Sequence, residues 1–149
     1  MSDSAIRHAT AEDLNGILSC VESAFAPYTT VIGQRPAPLD ADYRALILDQ
    51  CVWVPQDTPS AGFAVFYAQG DLMHLETVAV HSDHQGKGIG TLLIEMCEAR
   101  AKDLMLSGVA LYTNAAMIRN LNLYPRLGYG VAERKRVGGF DRVYYIKRW

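Results

Sequence analysis

No run of this 149-residue chain approaches the roughly 20 consecutive apolar positions of a membrane-spanning helix, which excludes a helical span. Cysteine is scarce: there are three, an odd number without paired spacing. That argues against a disulfide framework and for a reducing compartment. Cys20 and Cys97 fall within helical patterns and read as small core residues, and Cys51 opens a strand. No excess of one charge exists either. The net charge is −2 with mixed signs, so there is no footprint for nucleic acid, and Arg134-Lys135-Arg136 reads as a solvated strand end. The opening residues, Met1 to Arg7, lack the apolar stretch of an export signal, and a cytoplasmic protein with no membrane partner is expected. The four histidines do not gather. His81 and His84 have a two-residue gap but no third or fourth ligand nearby, so no metal is expected.

What is present suits a globular protein. Half the residues are hydrophobic and a fifth charged, which disfavours disorder, and the length suits a single domain over residues 1–149. The most informative stretch is Val78-Ala-Val-His-Ser-Asp-His-Gln-Gly-Lys-Gly-Ile-Gly-Thr91. A β-branched run enters a glycine-dense loop, which opens directly into an amphipathic helix pattern. A strand, a glycine loop and a helix N-terminus in that order make an anion site, because free backbone N–H groups and the helix dipole point at the ligand. Lys87 adds a mobile positive charge. The spacing is not that of a P-loop, which needs two glycines four residues apart followed by Lys-Ser/Thr. Nor is it a dinucleotide fingerprint, since Thr91 stands at the third-glycine position and the loop lies past mid-chain.

Periodicity orders the remaining elements. Ala5 to Ala9 reads as a first strand, and Thr10 with Asp13 as a helix start. Leu14, Ile17, Leu18, Val21 and Phe25 recur at helical spacing, predicting a helix from about 11 to 25. Pro27, Gly33, Pro36 and Pro38 break the next stretch into a loop, and a second helix is expected over 40–49. Strands are expected at 51–54, 62–67 and 72–80, and a helix from 88 to about 106. Further strands are expected at 109–112, 129–137 and 141–147. This irregular order disfavours a TIM barrel or a Rossmann domain.

Two motifs carry a family resemblance. Gln85-Gly-Lys-Gly88-Ile-Gly90 matches Q/R-x-x-G-x-G/A, and downstream Leu111 to Tyr129 runs from a strand through a helix ending in Leu123-Tyr124, with Gly128-Tyr129 following. In this order and spacing they resemble the GNAT superfamily of acyl-CoA-dependent N-acyltransferases, over nearly the whole chain. The resemblance implies an α/β (α+β) fold: a twisted mixed sheet of about seven strands, splayed between strands 4 and 5 and flanked by about four helices. It implies acetyl-CoA as co-substrate, held by the backbone of Val78, Ala79 and Val80 and by Gln85, Gly86, Lys87, Gly88, Ile89, Gly90 and Thr91. Many members carry Asn seven residues before the tyrosine. Here Met117 and Asn120 stand instead; Asn120 is a candidate contact, with the pantetheine partner on this helix left open.

Acyl transfer to an amine needs a base for the amine's proton and an acid for the departing sulfur. The resemblance puts the Tyr124 hydroxyl next to the sulfur as that acid; a buried tyrosine packing the helix end is the alternative. A backbone N–H near Val78 suits the developing oxyanion. Glu76 is the candidate base, directly or through water, against a carboxylate paired with an arginine. Strict alternation puts Glu76, Val78 and Val80 on one face of the strand, with His74 in phase as a proton relay or a structural residue. The resemblance implies that the connection between the first two helices walls the amine pocket; Tyr28, Arg35 and Tyr43 there are candidate acceptor contacts, with Arg35 holding an acidic group. The expected partner is a small polar amine. A protein amine, a non-catalytic acyl-CoA-binding or sensor module, and a homodimer stay open.

Overall fold

The computed structural model describes residues 5–149. Strand β1 (Ile6–His8) leads into a single 3₁₀ turn, Ala11–Asp13, where the Thr10 N–H donates to the Asp13 carboxylate at 2.8 Å. Arg7 grips the same carboxylate with two bonds of 2.9 and 3.1 Å, fastening the first strand to the helix that follows. That helix, α1 (Leu14–Phe25), buries Ile17, Val21 and Phe25 of the helical repeat together with Cys20, whereas Leu18 is exposed. The proline-rich stretch holds a short helix, α2 (Tyr28–Ile32), where an unstructured loop is expected. Pro27 precedes its first turn, where a missing N–H costs nothing, and Gly33 ends it at φ +88°. α3 (Tyr43–Leu48) starts later than 40, because the Asp42 side chain caps it through the Ala45 N–H at 3.1 Å.

The remaining elements are β2 (Val52–Pro55), β3 (Gly62–Gln69), β4 (Leu72–Val80), α4 (Ile89–Asp103), β5 (Gly108–Asn114), α5 (Ile118–Arg126), β6 (Gly130–Val137) and β7 (Phe140–Arg148). Five helices therefore flank the sheet rather than about four. The seven strands run β1-β2-β3-β4-β5-β7-β6, antiparallel except for the β4–β5 pair. One core lies under α4 and α5, joining Leu93, Ile94 and Cys97 to Met73, Leu75, Val109 and Leu111. The other lies under α1 and α3, joining Ile17, Val21, Tyr43 and Ile47 to Val54, Phe63, Val65 and Ala79.

Two features of β4 open the sheet. Its parallel pairing with β5 covers only Met73–Leu75 against Val109–Leu111; beyond that β4 pairs with β3 and β5 pairs with β7. At the same place the β3 register jumps, with Val65 opposite Thr77 and Phe66 opposite Leu75. Glu76 is the extra residue of a β-bulge, a device that bends a strand and disrupts its ladder. The bulge also resets the alternation. Met73 and Leu75 face the α4 core, and so does Val78, whereas Ala79 joins the core under α1. The expectation that Glu76 shares a face with Val78 and Val80 is thereby corrected. Glu76 faces the α1 side and accepts a hydrogen bond from Tyr67 there.

Candidate active site

The divergence of β4 from β5 leaves a cleft of about 160 Å³. Its floor is Leu75–Val78, one wall is Tyr112–Asn114, and Met117 at the start of α5 joins Asn120 and Tyr124 of that helix. The α1–α3 connection closes the opposite wall with Ile32, Pro36 and Pro38, and Phe140 and Arg142 of β7 stand at the rim. Glu76, Val78, Asn120 and Tyr124, all singled out in the sequence, thus come to one cavity from different elements. Asn120 is held by a bond from its side-chain N–H to Thr113 Oγ1 at 3.0 Å.

At the end of β4 the chain turns through Ser82–His84 into the glycine loop. Gly86 and Gly88 have φ of +80° and +79°, a region that side-chain-bearing residues enter at a cost. An added β-carbon at either would meet no atom within 4 Å, so conformation rather than crowding calls for glycine there. Gly88 immediately precedes α4, and its carbonyl accepts the Leu92 N–H at 3.0 Å. The N–H groups before Leu92 have no helical carbonyl to meet and face the loop. The loop is anchored from behind, because Ser23 of α1 accepts the Ser82 N–H at 2.9 Å and donates to the Ser82 hydroxyl at 2.7 Å. Lys87 is exposed, 3.4 Å from the His84 ring.

Glu76 is half-buried, with the Tyr67 hydroxyl donating to it at 3.0 Å; burial first, and then this carboxylate, push the Tyr67 pKa up to about 12. His74 lies between Tyr67 and Tyr112, at ring distances of 5.4 and 6.2 Å, and burial lowers its pKa. Tyr124 is 7% exposed, packed against Tyr129 and Tyr145, and burial drives its pKa well above the ordinary tyrosine value. It is therefore a protonated hydroxyl at neutral pH, as an acid must be. Cys20 and Cys97 are core residues, and burial holds both as thiols, Cys20 at about 12.

The residues expected to bind the acceptor lie elsewhere. Tyr43 is buried under α1, and its hydroxyl donates to the Pro38 carbonyl at 2.6 Å, so it braces the cleft wall from behind. Arg35 is exposed and paired with Asp40 at 2.7 Å, and Tyr28 packs at the edge of the α1 core; neither lines the cleft. The cation that does line it is Arg142, over the Tyr112 ring at 4.1 Å. Alternation along β7 sets Arg142 and Tyr144 opposite the core residues Val143 and Tyr145, a pattern readable in the sequence. Its contact with the cleft is a tertiary fact that the pattern does not contain.

Residues 18–129 match the model of the acetyltransferase (GNAT) family. The chain belongs to that family. Among curated proteins this GNAT member is similar to a streptothricin acetyltransferase of Escherichia coli, 32% identical over 78 residues, or 52% of the chain; the match spans 41% of that relative's length. Its fold is similar to that of the Escherichia coli ribosomal-protein-S18-alanine N-acetyltransferase, with a TM-score of 0.75 at 19% identity, covering 96% of this chain and 92% of the other. It is also similar to the PaiA N-acetyltransferase of Thermoplasma acidophilum, solved with coenzyme A, with a TM-score of 0.72 at 15% identity, covering 97% and 98%. The GNAT chain's own geometry fits a coenzyme of that kind: β4, which leads through a short turn into a positive-φ loop at a helix N-terminus, lines a cleft where its edge has lost its β5 partner. Among the described residues, no helix is long and apolar enough to cross a membrane.

Proposed function

We propose that this chain is an N-acetyltransferase that moves an acetyl group from acetyl-CoA to the primary amine of a small polar molecule, with both bound together. The observation that carries the reading is the convergence of Glu76 and Tyr124 on one cleft that begins where β4 parts from β5. When bound, acetyl-CoA supplies the activated acyl group. The Gln85–Thr91 loop holds the diphosphate through backbone N–H groups, and the free edge of Val78–Val80 pairs with the amide-bearing arm. Asn120 and Thr113 line the path of that arm. Glu76, steadied by Tyr67, takes the amine's proton directly or through one water, and the Tyr124 hydroxyl supplies a proton at the departing sulfur.

The deciding experiment is release of free thiol from acetyl-CoA across a panel of amino acids, polyamines, aminoglycoside-like amines and peptides. Saturable, amine-dependent turnover is expected. Tight coenzyme binding without turnover of any amine would mark a binding or sensor module instead. Preference for the peptides would replace the small acceptor by a protein amine.

A further inference from the structure

The acceptor side of the cleft holds two charges of opposite sign and an apolar body between its walls. The charged side chains lining it are Glu76 and Arg142. Glu76 is already supported by Tyr67. Arg142 has no carboxylate at ion-pair distance among the described residues, because its neighbour Asp141 is taken by Arg134 at 2.7 and 3.0 Å. A second hollow at the β6–β7 turn shares Ile32, Asn114 and Phe140 with the cleft. Arg134 there is neutralised by Asp141, and Arg136 donates to the Gly139 carbonyl at 3.3 Å. Arg136 belongs to that second hollow, and among the described residues the cation that lines the cleft itself is Arg142.

Its guanidinium lies over Tyr112 at 4.1 Å and near Phe140 at 5.6 Å. Stacking occupies a guanidinium's face and leaves its N–H edge free, the edge that reads a carboxylate with two parallel bonds. Tyr112 feels both charges: Arg142 pulls its pKa down and Glu76 pushes it up, on top of the rise from burial. Base and cation thus both act on one aromatic ring, and both line the same cleft. Phe25, Ile32, Pro36 and Pro38 supply apolar surface on the facing wall.

We propose that the acceptor is an α-amino acid with an apolar side chain, its carboxylate held by Arg142 and its amine presented to Glu76. The inference rests on the acyl-transfer reading and names its substrate class. In the transfer, the amine nitrogen bonds to the acetyl carbon as the carbon–sulfur bond breaks. The ammonium has by then given one proton to solvent through Glu76; a second amine proton passes to Glu76, the sulfur departs with a proton from Tyr124, and solvent carries the proton from Glu76 back to Tyr124, so that one proton is released overall. No oxidant or reductant enters.

The test measures thiol release with saturating acetyl-CoA for phenylalanine, methionine and leucine, each against its carboxamide. Wild type, Arg142→Gln, Arg142→Lys and Arg35→Gln are compared. Wild type is expected to favour the acids at least tenfold in kcat/KM, although the amides carry the less basic amine and more free base at neutral pH. Arg142→Gln should erase that ratio, chiefly through KM, and Arg142→Lys should keep part of it; the lysine variant decides if the glutamine variant does not fold. Equal use of acid and amide by wild type, an equal penalty on both in Arg142→Gln, or loss of the ratio in Arg35→Gln overturns the proposal. Calorimetry of phenylalanine and phenylalaninamide on the CoA-saturated protein separates the two readings. If no amine turns over, acyl transfer falls, while acid-selective binding that Arg142→Gln removes still upholds the carboxylate site. Equal binding of acid and amide, or none, removes that site.

Discussion

Gly88 allows the phosphate cradle to be tested by a pair of substitutions that separate strain from charge. Its φ of +79° lies in the left-handed region, and a β-carbon there meets nothing within 4 Å. Gly88→Ala therefore adds backbone strain alone, about 1–2 kcal/mol, present with and without coenzyme. For a chain of this size that lowers Tm by about 2–6 °C. Coenzyme A affinity should stay within a few-fold, because the strain cancels between free and bound forms. Gly88→Asp imposes the same strain and sets a carboxylate beside the expected diphosphate. Two like charges about 4 Å apart repel by roughly 1–4 kcal/mol across the dielectric range of a protein surface. Calorimetric Kd should then rise by about fivefold to a thousandfold, tenfold being ~1.4 kcal/mol. The gap between the two variants should narrow as salt is added, since an exposed loop is screened. Equal affinity for coenzyme A in both variants would refute the cradle, whatever their Tm values.

Three further outcomes follow from the site and its surroundings. Tyr124→Phe keeps the ring packed against Tyr129 and Tyr145 and deletes the donor, so kcat should fall on the order of 10²-fold with coenzyme affinity unmoved in calorimetry. Glu76→Gln should lower kcat by about 10²-fold with coenzyme affinity unmoved in calorimetry, and an unchanged kcat would remove Glu76 as the base. Burial lowers the pKa of both His8 and His74 from 6.5, so the unfolded chain binds more protons there and stability must drop as pH falls below about 6.5. Replacing His74 by Gln should reduce that slope in thermal melts between pH 7.5 and 5.5, and an unchanged slope would locate the effect elsewhere.

Legibility in the sequence followed how local each cause is. Strand β4 was readable to the residue, because Leu72 to Val80 carries β-branched residues between Gly70-Asp71 and a polar turn. The glycine loop before α4 is readable because its glycines answer a backbone need fixed within six residues. The bulge at Glu76 was not, since it is a mismatch with β3 and leaves no trace in β4 alone. Helix α2 was hidden because Pro27 and Gly33 read as breakers, although one precedes the first turn and the other follows the last. The loop composition points to Arg35 as a cation for the acceptor; Asp40, five residues on, pairs with it, and Arg142 reaches the cleft from the far end of the chain.

The bulge has a consequence for how this protein tolerates change. Val65 and Phe66 are consecutive, and their partners Thr77 and Leu75 would become consecutive in a chain without Glu76. Every β3–β4 pair would persist, and each core would keep its side chains, because the alternation lost at the bulge is restored by removing one residue. The sheet has no need of the one residue that gives the cleft its carboxylate and bends the strand from its neighbour. Deletion at this position would give a chain that keeps its fold and its glycine loop and lacks the carboxylate of its cleft.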